Sequence, residues 1–396
     1  MSPDRTVVID GNTAAAWGAR LARARIIPFY PITPHSPMME ALARFVADGE
    51  MEAVVIPAES EHTVMSILQG AAMAGSRTFS GTSASGLSFM QEAYIWTPGM
   101  RLPIVMTIAN REIEAPGTVG TGQQDAISVR DAGWLQIFVE NNQEILDSIL
   151  MAYRIAEHPN VLLPVNVCYD GLFLSHLIEA VRLPSQDDVD RFLPPYEATG
   201  LRMEPEKPQS FSPGQPGNML MEYRFKQTLA TQRAKTVINQ VDEEFGLVFG
   251  RRYGGLVSEY RLEDAELALV TLGSVTGTAR VAADIARDKG ARVGLLKLRS
   301  LRPFPREVLC QKLQNKKAVG VISRDVCFGW GSGTVFMELR AALRDINRAP
   351  ITLSFIDGLG GADITLPHLL RALDLVEQAA SGKPVPEVNW LGVELI

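Results

Sequence analysis

Four short segments carry side chains and turns suited to chemistry on a small polar ligand: Tyr30-Pro-Ile-Thr-Pro34, Ser60-Glu-His62, Gly81-Thr-Ser-Ala-Ser-Gly-Leu87 and Ala109-Asn-Arg111. The first offers the hydroxyl of Thr33 between two prolines, a place where turn residues are also common. The second offers the carboxyl of Glu61 behind Ser60, which reads as a helix cap; a helix dipole alone would also stabilise an acid there. Glu59 competes for any acid role, and His62 reads mainly as a capped helix residue. The third is a run of small residues including Ser83, Ser85 and Gly86. Such a run lets a flat ring approach the backbone, and it also makes a plain turn. The fourth ends in Arg111, whose planar fork matches a carboxylate bidentately. Each segment follows a strand or opens a helix in the pattern of the chain. In an open parallel sheet ligands bind at that edge, so the four segments form one candidate site.

Other chemistries are poorly served. Cys168, Cys310 and Cys327 form no C-x-x-C pair, and their number is odd, so a disulfide framework, a zinc site or an iron–sulfur cluster on this chain is not expected. The five histidines lack metal-ligand spacing. No P-loop and no G-x-S-x-G occurs, and Gly117 to Gly122 has the wrong order for a dinucleotide fingerprint. Gly273-Ser-Val-Thr-Gly277 follows a strand and opens a helix, so it is a tight turn that could also cradle an anion.

The chain has 396 residues, 46% hydrophobic and 21% charged, with a net charge of −7. That size suits two or three soluble domains, and the acidic balance argues against a nucleic-acid surface. No apolar run reaches a membrane span, the start MSPDRTVVIDG does not read as a signal peptide, and a cytoplasmic enzyme is expected. Strands and helices alternate over residues 1–176, with buried apolar runs such as PIVMTIA, which predicts a parallel sheet covered on both faces. The small-residue stretch from Gly81 to Gly86 reads as a loop. Prolines break the pattern over 177–263, a linker or an extended arm, with one longer helix from Asn218 to Glu243. The βα pattern returns over 264–374 as a second, smaller α/β domain, and 375–396 reads as a tail.

The strings YPITPHSPMMEAL, ESEHTVMSILQGAAMAGSRTFSGTSASGLSFMQE and MRLPIVMTIANR resemble the alpha subunit of the pyruvate:ferredoxin oxidoreductase family. RDAGWLQIFVENNQEILDSILMAYRIAEHPNVLLPVNVCYDG, LGSVTGTA, VGLLKLRSLRPFP, VISRDVCFGW and GLGGADIT continue the likeness in order. The resemblance covers most of residues 6–176 and 265–367. It implies an α/β fold: a thiamine-diphosphate-binding, pyrimidine-type parallel-sheet domain plus a transketolase C-terminal-like α/β domain. It also implies thiamine diphosphate shared with a beta subunit that carries the diphosphate and Mg2+. Gamma and iron–sulfur delta subunits would pass electrons to ferredoxin or, through a further subunit, to NAD. The implied reaction is oxidative decarboxylation of a 2-oxoacid with coenzyme A as co-substrate. The magnesium pattern of thiamine enzymes, Gly-Asp-Gly, is absent here, and Asn141-Asn142 reads as a helix start.

By the same resemblance Glu61 is the catalytic acid that hydrogen-bonds the aminopyrimidine and promotes loss of the thiazolium proton. Ser83, Ser85 and Gly86 approach the cofactor, while Thr33, Arg111 and Gln124 contact the 2-oxoacid. The stretch Gly117-Thr-Val-Gly-Thr-Gly-Gln-Gln-Asp125 departs from the family pattern, which is aromatic-rich with a His at this point. That loss of bulk puts pyruvate in doubt and favours a branched-chain or aryl 2-oxoacid such as phenylglyoxylate. A non-catalytic scaffold subunit, a nicotinamide dehydrogenase and a thiamine decarboxylase without redox partners are the rival expectations.

Overall fold

The computed structural model describes residues 5–113, 115–198, 202–211 and 213–393. The first unit contains β1 (Arg5–Ile9), α1 (Gly11–Leu21), β2 (Ile26–Phe29), α2 (Ser36–Ala47), β3 (Val54–Pro57), α3 (Glu61–Met73), β4 (Phe79–Thr82), α4 (Ala84–Phe89) and α5 (Gln91–Gly99). It continues with β5 (Val105–Asn110), α6 (Gln124–Ser128), β6 (Leu135–Phe138), α7 (Asn142–Ala156), β7 (Val165–Asp170), α8 (Phe173–His176), β8 (Glu179–Leu183) and α9 (Gln186–Phe192). Strands β6, β7, β5 and β4 pair in parallel, β2 pairs in parallel with β3, and a parallel bridge from Ile26 to Thr78 joins the two groups. Every residue of β5 and β7 is buried, as continuous apolar strands covered on both faces should be. The ends of β2, β3, β4, β5 and β7 therefore share one edge, where the candidate segments lie.

Local chemistry starts the helices. Ser60 Oγ accepts from Thr63 N–H and Asn141 Oδ1 from Glu144 N–H, so Asn141 is a helix cap. The expected loop over Gly81 to Gly86 is instead the end of β4 followed at once by α4, with Ser83 at its N-cap. Small residues permit this close strand packing: a Cβ on Gly81 would stand 1.8 Å from His35 Nε2.

The middle of the chain forms α10 (Gly217–Phe249), 33 residues long and ended by Gly250 in the left-handed region. Its buried residues, Ala230, Ala234, Val237, Ile238, Val241 and Phe245, recur at three- and four-residue steps and pack on the first unit. Before Ala230 it is open to solvent, with Met221, Tyr223 and Phe225 exposed.

The second unit contains β9 (Val257–Tyr260), β10 (Leu267–Thr271), α11 (Val275–Asp288), β11 (Val293–Leu298), β12 (Ser300–Arg302), α12 (Arg306–Leu313), β13 (Ala318–Ser323), α13 (Thr334–Leu343), β14 (Ile351–Ile356), α14 (Leu366–Ala380) and β15 (Val388–Trp390). Its sheet has the order β15-β14-β13-β10-β11-β9, parallel except for β9. Thus β9 comes from the segment read as linker and β15 from the segment read as tail.

The units are joined through backbone and charge. β12 leaves the second unit and pairs antiparallel with β6 of the first sheet. Beside it, α7 is buried almost throughout and carries Glu144, whose carboxylate has no exposure. Lys297 Nζ reaches Glu144 Oε2 at 2.5 Å and Arg299 Nε reaches Oε1 at 2.9 Å. Arg299 also donates to Gly255 O and Ser148 Oγ. Burial alone would push the Glu144 carboxyl up, but Lys297 and Arg299 outweigh it and hold it below the ordinary glutamate range. One turn on, Arg251 grips Asp147 with two hydrogen bonds.

Removing Arg299 leaves Glu144 with Lys297 alone and strips buried Gly255 O and Ser148 Oγ of a donor, which costs about 1–3 kcal/mol for each group left without its partner. Arg299→Met is therefore expected to lower the urea and thermal midpoints strongly, whereas Lys317→Met, in an exposed pair with Glu266, should leave them unchanged.

Candidate active site

Glu61 opens α3 at the mouth of the parallel-sheet edge and is only 7% exposed. Among the described residues its carboxylate has no hydrogen-bond partner. Its neighbour is Gly86: a Cβ there would lie 2.6 Å from Glu61 Oε1 and 2.5 Å from Thr82 Oγ1. The hydroxyls of Thr82 and Ser83 are buried and unpartnered. Two buried, idle hydroxyls cost free energy unless a ligand satisfies them. Glu59, the competing acid, is exposed and accepts from Thr63 Oγ1, part of the helix cap. Ser85 is exposed, and His62 pairs loosely with Glu92 at 3.4 Å.

Asp125, a residue that sequence reasoning passed over, organises the rest. It is fully buried at the start of α6. Oδ2 accepts the backbone N–H groups of Ala84 and Arg111, both at 3.0 Å, while Oδ1 accepts from Asn110 Nδ2 and Ala126 N–H, both at 2.7 Å. One carboxylate thus ties the end of β4, the end of β5 and α6. Burial raises its pKa to about 6 against the pull of those four donors. The tie places Arg111, whose Nη1 donates to Thr33 O at 3.1 Å and whose Nε donates to Thr118 O at 3.0 Å. Thr33 is exposed at the rim. Its loop rests on Asn12 Nδ2, which donates to Pro34 O, and on His35, buried and held neutral with a pKa down to about 3.

The structure therefore brings Thr33, Arg111, Ser83, Gly86 and Glu61 along one edge, linked through Asp125. Gln124 has a different engagement, because its Oε1 accepts Val326 N–H from the second unit. Gln123 Nε2 donates to Asp170 Oδ1 and Leu272 O. The turn at Gly273 does cradle an anion at the start of α11, and the anion is the chain's own: Asp170 Oδ2 accepts Ser274 N–H at 2.9 Å. Nothing in the spacing of the sequence joined Asp170 to a turn a hundred residues away. Among the described residues no group of three His, Cys, Asp or Glu side chains converges to hold a metal. Among them, too, no helix is long and apolar enough to cross a membrane.

Residues 17–243 match the family described as pyruvate flavodoxin/ferredoxin oxidoreductase, thiamine diphosphate-binding, and residues 265–369 match pyruvate:ferredoxin oxidoreductase core domain II. The chain belongs to the pyruvate:ferredoxin oxidoreductase family. Membership makes it an alpha-type subunit of a 2-oxoacid oxidoreductase, a family of thiamine-dependent, coenzyme-A-acylating enzymes. Among its relatives, the alpha subunit of NADH-dependent phenylglyoxylate dehydrogenase of Aromatoleum evansii is 44% identical, over 98% of this chain and 95% of its own length. Pyruvate synthase subunit PorA of Methanothermobacter thermautotrophicus is also 44% identical, over 98% of each chain. Ketoisovalerate oxidoreductase subunit VorA of Pyrococcus horikoshii is 39% identical over 97% of each. In fold the chain is similar to the 2-oxoglutarate:ferredoxin oxidoreductase of Magnetococcus marinus, with a TM-score of 0.72 at 18% identity, over 94% of this chain and 66% of that one.

Within this oxidoreductase fold Asp125 is a positioning residue. Asp125→Asn exchanges an acceptor for a donor against two N–H groups, a cost of roughly 2–4 kcal/mol. The variant should melt earlier in thermal unfolding. Wild-type stability should fall slightly as pH rises from about 4 to 6, because ionisation of a carboxyl with a raised pKa is disfavoured in the folded state.

Proposed function

We propose that this subunit supplies the pyrimidine half of the active site in a cytoplasmic complex that oxidises a 2-oxoacid bulkier than pyruvate, branched or aryl, to its acyl-CoA and CO2. The observation that carries the reading is Glu61, buried without a partner against Gly86 and the idle hydroxyls of Thr82 and Ser83. An aminopyrimidine fits there, because it is flat, needs a close approach to backbone, and presents nitrogens to an acid. Thiamine diphosphate, when bound, supplies the carbon nucleophile for the oxoacid carbonyl and the sink for the electrons left as CO2 departs.

The chain's own residues prepare that chemistry. The Glu61 carboxyl, only 7% exposed, faces the pyrimidine, where it would hydrogen-bond a ring nitrogen. Thr82 and Ser83 offer hydroxyls, and the bare Cα of Gly86 leaves room for the Glu61 carboxyl and the Thr82 hydroxyl beside it. Arg111 clamps the oxoacid carboxylate, its fork aimed by Thr118 O and Thr33 O. Thr33 offers its hydroxyl at the rim. The Gly117 to Gly122 stretch lacks the aromatic side chains and His of the family pattern, which supports the larger substrate. The diphosphate and Mg2+ fall to a beta subunit, a reading supported by the lack of the Gly-Asp-Gly magnesium motif in this sequence. Exposed Phe89 on α4 and Ile95 and Trp96 on α5 suit the apolar core of such an interface. Gamma and iron–sulfur delta subunits complete the electron path to ferredoxin or NAD.

The test uses the intact complex, purified without oxygen through a tag on this chain. Coenzyme-A- and thiamine-dependent viologen reduction is measured with pyruvate, 2-oxoisovalerate, 2-oxoglutarate and phenylglyoxylate. Phenylglyoxylate or 2-oxoisovalerate should give the highest kcat/KM, and Glu61→Gln should lower kcat by about 10²–10⁴-fold. Preference for pyruvate would overturn the substrate assignment, and full activity of Glu61→Gln would overturn the site.

A further inference from the structure

Glu112 follows Arg111 directly and has no part in the activity derived above. Its side chain lies in the seam between the Gly117 to Gly122 stretch and the turn Gly358 to Gly361 of the second unit. Oε2 is buried without a hydrogen-bond partner. A Cβ on Gly122 would stand 2.2 Å from Oε2 and 3.0 Å from Cδ, so glycine at 122 is what leaves room for this carboxyl. The two sides of the seam already touch: Gly361 N–H donates to Thr121 O at 2.8 Å and Thr118 Oγ1 to Gly360 O at 3.3 Å. The approach is as close as backbone allows, since a Cβ on Gly120 would fall 2.0 Å from Gly360 O. The N–H groups of Gly360 and Ile113 favour the charged form of the Glu112 carboxyl. The same stretch aims Arg111, because Thr118 O accepts from Arg111 Nε.

We propose that Glu112 is a positioning residue whose charged carboxylate draws Gly360 onto the Gly117 to Gly122 stretch, fixing Thr118 O and through it the Arg111 guanidinium for the oxoacid carboxylate. The proposal rests on Arg111 binding that carboxylate. Two acids lie within electrostatic reach of Glu112, Asp125 from α6 and Asp325 from the loop after β13, and Arg111 precedes it in the chain. Burial first, and then those two acids, raise its pKa to about 7. The latch is therefore charged above neutrality and neutral below it. Folding stability runs the other way: ionising a carboxyl with a raised pKa costs stability between about pH 4.5 and 7.

The experiment measures KM and kcat of the intact complex from pH 6 to 8.5, with the preferred oxoacid, for wild type, Glu112→Gln, Gly122→Ala and Arg111→Lys. Wild-type KM should rise as pH falls through 7. Glu112→Gln should raise KM about fivefold at pH 8, with kcat within about twofold, and flatten the pH dependence of KM. Gly122→Ala displaces the carboxyl and should give the same KM change. Amide hydrogen exchange should quicken in both 117–122 and 358–361 of Glu112→Gln, a readout independent of turnover. Unchanged KM in Glu112→Gln, or a fall in kcat at constant KM, overturns the proposal. If Arg111→Lys raises KM while Glu112→Gln does not, the latch fails and the substrate clamp survives. If Arg111→Lys leaves KM unchanged, the clamp fails and the latch with it.

Discussion

A carboxylate with no access to water must be compensated where it stands, and Glu144 imposes that condition on this fold. It lies on a helix enclosed by the first sheet on one side and by α1 and α10 on the other. Its counter-ions come from the next unit, Lys297 at the end of β11 and Arg299 just beyond it. The segment that carries these cations runs straight on into β12, which lies along β6. The antiparallel extension of a parallel sheet and the buried ion pair are therefore one arrangement. The pair is a poor source of net stability, because desolvation opposes most of the attraction. Its value lies in orientation: an unpaired Glu144 or Arg299 would be so unfavourable that one docking of the units is strongly preferred.

That docking sets the site. The first sheet alone brings Glu61, Ser83 and Arg111 to a common edge, but the loops beyond β5 have few apolar side chains with which to pack. They are held by polar atoms instead. Asp125 collects four N–H donors from below, and the second unit supplies contacts from above through Gly360, Gly361, Val326 and Arg324. Arg111 is thus aimed by carbonyls whose own positions depend on both units. Pre-organisation of this kind carries its cost in the unliganded protein, as buried, unpartnered hydroxyls at Thr82 and Ser83.

What was legible from the sequence divides along physical lines. Buried strands such as Val105–Asn110 and capped helices such as Glu61–Met73 announce themselves through apolar runs and through Ser or Asn at the first turn, which are local signals. The common edge of Thr33, Glu61, Ser83 and Arg111 follows from strand order and was legible too. Some short strands were not: Leu135–Phe138, Val257–Tyr260 and Ser300–Arg302 owe their form to distant partners. The stretch from Gly81 to Gly86 misled because small residues signal either a loop or a tight approach, and here His35 decides for the approach. Asp125, Asp170 and Glu112 were invisible as a set, since their meaning comes from long-range contacts. The one available hint for Asp125 was an acid following a glycine-rich run at a helix start.

The contact between Asp170 and the start of α11 bears on what the second unit can do. In an open α/β sheet the mouth between strands that wind in opposite directions is the natural receptor for an anion, and here that mouth lies between β10 and β13. Asp170 and Gln123 already stand in it. A tethered group acts at an effective concentration in the millimolar range or higher, so a free phosphate or nucleotide would compete with a resident that never diffuses away. A receptor of this type has been turned inward, and the surface that other α/β domains offer to cofactors has become the seat of a neighbouring domain.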